Sequence, residues 1–180
     1  MPRVAGRGEA RAAVRSRFDA PALAAVRYAD PAAWIVATAV ANAVDPVREA
    51  ARAAHDRTAV VAVGAEGPVE AMAAMCEASR AGSSSPIRYP ASNAGSLAGL
   101  TSIAFSFRGP TLMLTLPPDR GVPVGLLLAE AWIRREVASF VAIAACARRD
   151  GGPVARCLLI GAEGEPLDAD RHVAWLVEVG

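Results

Sequence analysis

At 180 residues and 53% hydrophobic content, the chain has the size of one domain and enough apolar material for a substantial core. Basic and acidic residues number 19 and 18 and the arginines are scattered, so no electrostatic footprint for nucleic acid is present. Every basic residue is Arg and none is Lys, a bias that GC-rich codon usage explains better than guanidinium chemistry does.

The opening stretch carries Arg3, Arg7, Arg11, Arg15 and Arg17 but no apolar signal core, so no secretory peptide is expected. Residues 1–27 are expected to form a frayed, partly disordered segment, and 28–180 a single domain. Asp30-Pro31 and Asp45-Pro46 are cap-then-proline pairs, which predict helices over Pro31–Val44 and residues 46–55. The first of these runs is too short to span a bilayer and is bounded by aspartates, so no membrane partner is expected.

Residues 58–65 form a continuous valine-rich run, the pattern of a strand buried on both faces. Val69, Met72 and Cys76 then recur at helical spacing up to Arg80. A serine-rich loop follows at 82–86. Further strands are predicted at 111–116, 140–144 and 155–160, with a helix at 122–135. Strands alternating with helices predict α/β layers around a mainly parallel sheet.

The chemistry-bearing residues are sparse. Gly64-Ala65-Glu66-Gly67 is not a dinucleotide fingerprint, and no P-loop lysine exists in a chain without lysine, so the run reads as an ordinary strand-to-helix turn. Cys76, Cys146 and Cys157 lie far apart without metal-ligand spacing, and are expected to be buried, reduced thiols of a cytoplasmic protein. His55 and His172 are expected at the surface or in structural roles. Neither a metal nor a cofactor is implied, and Ser83 to Ser85 and Cys146 are the only residues open to a role as an unfamiliar nucleophile.

From Asn93 to Cys146 the parts come in a distinctive order. A small-residue helix (NAGSLAGLTSIAFSF) leads to the turn Arg108-Gly109-Pro110, then to a strand, a tight elbow, a long helix and a buried strand. This stretch resembles the active-site region of ketosynthases, ungapped from Gly99 to the strand at 140–144. The family's nucleophilic cysteine falls on Pro118. Pro117 precedes it, and Asp119 and Arg120 follow where ketosynthases place small residues. Asp119 reads as a helix cap, and Arg120 as solvated rather than filling the former pocket. A condensing enzyme needs a thiolate at a helix N-terminus, where free N–H groups lower the thiol pKa and stabilise an oxyanion. Proline offers no nucleophile, no proton and no N–H, and neither histidine lies in a loop like the family's histidine motifs.

The resemblance covers about residues 28–146 and implies half of a thiolase-like αβαβα fold, a single αβα unit. It also implies that the family's opening strand is missing and that a large apolar surface is exposed where the second half would pack. A ketosynthase-like chain without the nucleophile is similar to the chain length factor of a type II polyketide synthase. That likeness implies a heterodimer with an active ketosynthase, served by an acyl carrier protein through the complex, and an acyl tunnel shaped to limit the length of a polyketide of polyene type. Thr111, Leu112, Met113, Leu114, Thr115 and Leu116 would form the dimer strand. Arg88 and Tyr89, just before Pro90, would gate the tunnel, with Ser92 and Ser96 lining it one helical turn apart. For Tyr89 a half-buried core position is the alternative. For the whole chain, the alternative is a non-catalytic homodimeric scaffold that binds acyl chains or a carrier protein.

Overall fold

The computed structural model describes residues 2–18, 28–83 and 85–179. Its centre is a six-stranded sheet in the order β3-β2-β4-β5-β1-β6. The strands are β1 (Arg3–Ala10), β2 (Thr58–Val63), β3 (Thr111–Leu114), β4 (Phe140–Arg149), β5 (Gly152–Gly161) and β6 (Glu165–Pro166). β2 lies parallel to β3 and β4, while β5, β1 and β6 are added antiparallel. Four strands therefore share one direction, as the sequence predicts, but the sheet is mixed.

The helices are α1 (Pro31–Val44), α2 (Arg48–Ala53), α3 (Val69–Arg80), α4 (Ser96–Phe105), α5 (Pro118–Arg134) and α6 (Ala169–Val177). Alternation along β2 splits the core in two. Val60 and Ala62 join the cluster under α1 and α4, whereas Val61 and Val63 join the one under α5 and α6. The result is the expected αβα unit.

Local signals set the helix starts. Asp30 is buried; one carboxylate oxygen accepts from the Ala32 N–H at 2.8 Å and the other from the Ala71 N–H at 2.9 Å. It thus caps α1, a contribution of about 1 kcal/mol, and ties α3 to it. Asp45 does not repeat the pattern. Its backbone is already helical and continues α1 into a 3₁₀ turn, and its carboxylate accepts from Arg17 and Arg48 instead. The expected helix over 46–55 is therefore reduced to α2 between two 3₁₀ turns.

The opening segment differs from the expectation. Residues 3–10 are a sheet strand paired along its length with β5, so the opening strand is present; residues 1 and 19–27 of the expected frayed segment lie outside the described residues. Gly6 and Gly8 are what allow it. A Cβ on Gly6 would stand 1.9 Å from the Ala43 carbonyl oxygen, and one on Gly8 2.1 Å from that of Ala39, so α1 can cross β1 only where side chains are absent.

The expected open apolar face is also largely closed by the chain itself. α6 buries Leu176 against the side of the sheet that α5 leaves uncovered. Arg7 on β1 and Arg156 on β5 lie over the Trp175 ring, 5.9 and 5.2 Å from its centroid, and Arg156 donates to the Trp175 carbonyl at 2.8 Å. His172 is buried in the same brace, its Nε2 2.9 Å from both Glu165 and Arg7. The hydrogen bond with His172, and then that with Arg7, hold the Glu165 carboxyl down to about 2. His172 is a structural residue, one of the two roles expected for it. Among the described residues, no helix is long and apolar enough to cross a membrane.

Candidate functional site: the elbow and the sheet edge

β3 leads into the elbow. Pro117 is extended (φ −53°, ψ 144°), its carbonyl accepts from the Arg120 and Gly121 N–H groups at 3.0 and 2.9 Å, and α5 begins at Pro118. The turn keeps the geometry that presents a side chain at a helix N-terminus, and the side chain presented is a proline ring. No side chain caps this end. Asp119 lies inside the first turn and is exposed; its charge suits the positive end of the helix, but it is not the expected cap. Arg120 is exposed, as expected, and does not line the cavity over Pro118.

That cavity measures about 120 Å³ and is lined by Pro118, the Gly64–Gly67 turn, Cys146 and Arg148. Arg148 crosses it to Glu66 at 3.5 Å and Glu70 at 3.0 Å. Cys146 is the one thiol there, and burial, reinforced by Asp30, pushes it up to about 12. A thiol in that state is protonated at neutral pH and is no nucleophile. Cys157 is raised in the same way, by burial alone. Cys76 corrects the expectation of a buried thiol, because it is exposed on α3.

Neither histidine reaches the elbow cavity. His55 precedes β2, at the opposite end of that strand from Gly64, with Nδ1 3.1 Å from the Arg52 carbonyl and Nε2 3.3 Å from Asp56. His172 is engaged on α6. Ser83 is exposed and donates to the Ala78 carbonyl, Ser85 precedes a 3₁₀ segment, and Ser84 lies outside the described residues. No group of three or more His, Cys, Asp or Glu side chains among the described residues is placed to hold a metal.

The sheet edge beside the elbow is open. β3 is the terminal strand and pairs only with β2. Its Pro110 and Leu114 carbonyls accept from the Val60 and Gly64 N–H groups, so by the alternation of a strand the Thr111 and Met113 backbone groups point away from the sheet. Thr115 and Leu116 follow the strand and lead to the elbow. Thr111 also ties the edge to α4, with its Oγ1 2.9 Å from that of Ser102.

α4, tied to this edge through Ser102, borders an apolar surface. α3 buries none of its residues, and Val69 and Met72, whose helical spacing the structure bears out, are exposed. The helix lies mainly against a 3₁₀ segment, Pro86–Ser92, which is equally shallow. There Ile87 and Tyr89 are 63% and 65% exposed, so Tyr89 is not a core aromatic. Between this segment and α4 runs a groove of about 640 Å³, lined by Tyr28, Ile87, Tyr89, Ser96, Gly99 and Ile103 among others, with no charged residue among the described residues.

Of the four expected gate residues, Tyr89 and Ser96 line this groove. Arg88 and Ser92 do not. Arg88 is exposed with its guanidinium 5.0 Å from the centre of the Tyr28 ring, which explains how the charge is accommodated without burial. Ser92 donates to the Tyr89 carbonyl at 2.8 Å. It ends the 3₁₀ segment while Ser96 begins α4, so the two do not share one helical face as expected. Tyr28, Ile87 and Ile103 were missed as lining residues, because isolated apolar residues beside Pro and Ser give no periodic signal.

No protein-family model matches the sequence, and no curated protein is significantly similar to it. The structure, by contrast, has many solved relatives. A structure described as the ishigamide ketosynthase/chain length factor superposes with a TM-score of 0.69 at 16% identity, over 92% of this chain and 64% of that one. A chain of a ketosynthase, ApeO, in complex with its chain length factor, ApeC, from Xenorhabdus doucetiae gives 0.65 at 14% identity, over 98% and 91%. A type II polyketide synthase acyl carrier protein in complex with its ketosynthase, AntDE:AntF, gives 0.67 at 13% identity, over 89% and 62%. The protein therefore has the ketosynthase-type, thiolase-like fold that the sequence implies, and spans just under two thirds of the first of these chains.

Proposed function

We propose that this protein is a non-catalytic, chain length factor-like subunit that pairs with an active ketosynthase and shapes the acyl tunnel that limits the length of a polyketide of polyene type. The observation that carries this reading is the elbow: a ketosynthase fold that presents proline at the helix start where the family's chemistry needs a thiolate. The surroundings agree with it. The cavity above Pro118 is crossed by Arg148, the only thiol there is protonated, and both histidines are committed elsewhere.

Pairing is assigned to β3, whose outward Thr111 and Met113 backbone groups can continue the sheet into a partner. The adjoining apolar surface of α3, the 3₁₀ segment and α4 extends that contact. Within it the uncharged groove bearing Tyr89 and Ser96 suits a linear acyl chain, and Arg88 and Ser92 support its rim. The acyl carrier protein is reached through the ketosynthase.

Co-expression with a ketosynthase from the same genome tests the reading. A stable heterodimer is expected, with condensation that depends on this chain. A protein that is monodisperse alone and leaves that ketosynthase unchanged would overturn it and favour the homodimeric scaffold. Within the complex, Tyr89→Ala and Tyr89→Trp are expected to shift product length in opposite directions. Pro118→Cys is expected to bring no condensation, because no histidine reaches the elbow.

A further inference from the structure

The opposite side of the sheet carries a second groove, of about 610 Å³, between α5 and α6. Its α5 wall is Pro123, Leu126, Leu127 and Glu130, one stripe of that helix, and its α6 wall centres on Val173 and Val177. Leu127 is 67% exposed, the most of any large hydrophobic side chain among the described residues.

The charge of this groove is one-sided. Basic and acidic residues are nearly equal in the chain, yet among the described residues the groove is lined by Asp119, Glu130 and Asp170 and by no arginine. Glu130 pairs with Arg134 at 3.4 Å. The side chains of Asp119 and Asp170 have no hydrogen-bond or ion-pair partner among the described residues.

We infer that this groove is a docking site for a basic amphipathic helix of a partner protein. Two helices side by side present no free backbone edge, so the occupant is held by side chains, and a third helix with apolar residues at i, i+3, i+4 and i+7 fits such a seat. Arginines or lysines flanking that apolar stripe would meet Asp119 and Asp170 at the rim. The same carboxylates repel an anionic lipid surface or an acidic protein. Pairing through β3 is a separate matter, since the groove lies on the other face of the sheet from the groove bearing Tyr89.

The test uses the full chain and a fluorescent peptide of about 14 residues, four helical turns, with leucine at the apolar spacing and arginine elsewhere. A matched peptide with glutamate in place of arginine is the control. The arginine peptide is expected to bind at least about tenfold more tightly than the control, and Leu127→Gln to weaken it about tenfold. Asp119→Asn with Asp170→Asn is expected to weaken it less and to flatten its salt dependence, while Tyr89→Ala leaves it unchanged. Equal binding of the two peptides overturns the inference, as does a Leu127→Gln variant of native circular dichroism that binds as before. Concentration-dependent self-association abolished by Leu127→Gln would assign the groove to a second copy of this chain and overturn it too.

Discussion

The two helical layers cover one sheet and leave opposite chemistry at the surface. Beside α4, the exposed groove is apolar and, among the described residues, uncharged. Beside α5 and α6, on the other face of the sheet, the groove is apolar with an acidic rim. Burial explains part of the difference. α1 is buried almost throughout, so α3 and the 3₁₀ segment are left outside it with their apolar residues uncovered. α5 and α6 are amphipathic surface helices, each burying one stripe and exposing another. One layer thus leaves an uncharged apolar surface and the other an apolar groove with an acidic rim.

The largest effect that would break this contrast is expected at Gly8. In Gly8→Val the new side chain meets the α1 backbone, and overpacking of about 3 kcal/mol or more should leave the chain unfolded or molten, as judged by near-UV circular dichroism. A native-like spectrum would mean that α1 does not depend on close approach to β1. Next comes Leu176→Ala, which empties a fully buried site under α6 and should cost about 2–5 kcal/mol in urea denaturation. A loss below about 1 kcal/mol would show that α6 is not what seals that face.

Met113→Pro sharpens the comparison from the other layer. Its N–H points away from β2, so no ladder hydrogen bond is lost, and the cost of about 2 kcal/mol comes from removing a half-buried methionine side chain. Pairing with the ketosynthase should nevertheless be lost in size-exclusion chromatography; a retained heterodimer would move the interface off β3.

The smallest effect is expected at Glu165. Its pKa is depressed in the fold from 4.5 to about 2, so the bonds to His172 and Arg7 contribute stability that is present above pH 4.5 and lost as pH falls towards 2. The melting-temperature difference between the native chain and Glu165→Gln should therefore be small at pH 6 and vanish near pH 2. A difference that grows on acidification would contradict this linkage.

The elements with strong local signals were legible in the sequence. Pro31–Val44 and Val69–Arg80 have the predicted bounds, because a capping aspartate with proline in one case and helical spacing between glycine-rich turns in the other act within a few residues. β1, β6 and α6 were not. β1 mixes arginines with glycines and is a strand only because β5 supplies its partner. β4 and β5 run on past their predicted ends into a hairpin at Arg149 and Gly152, where pairing carries charged residues along with it. In the candidate site, Pro118 at the elbow was readable because position in an ungapped motif is a property of the chain. The exposure of Tyr89 and Met72 was not, because periodicity shows that residues share a face and not which way the face turns.

By itself the sequence determined the class of fold and the proline that stands at the elbow. These follow from residue order and identity, which no packing can alter. Only the tertiary structure decided that the chain closes its own second face with α6, that Cys146 is buried and protonated, and that the uncharged groove and the acidic groove lie on opposite sides of the sheet. Those facts depend on which surfaces meet across the chain, and the free energy of such contacts is set by burial and charge in three dimensions rather than by neighbours in sequence.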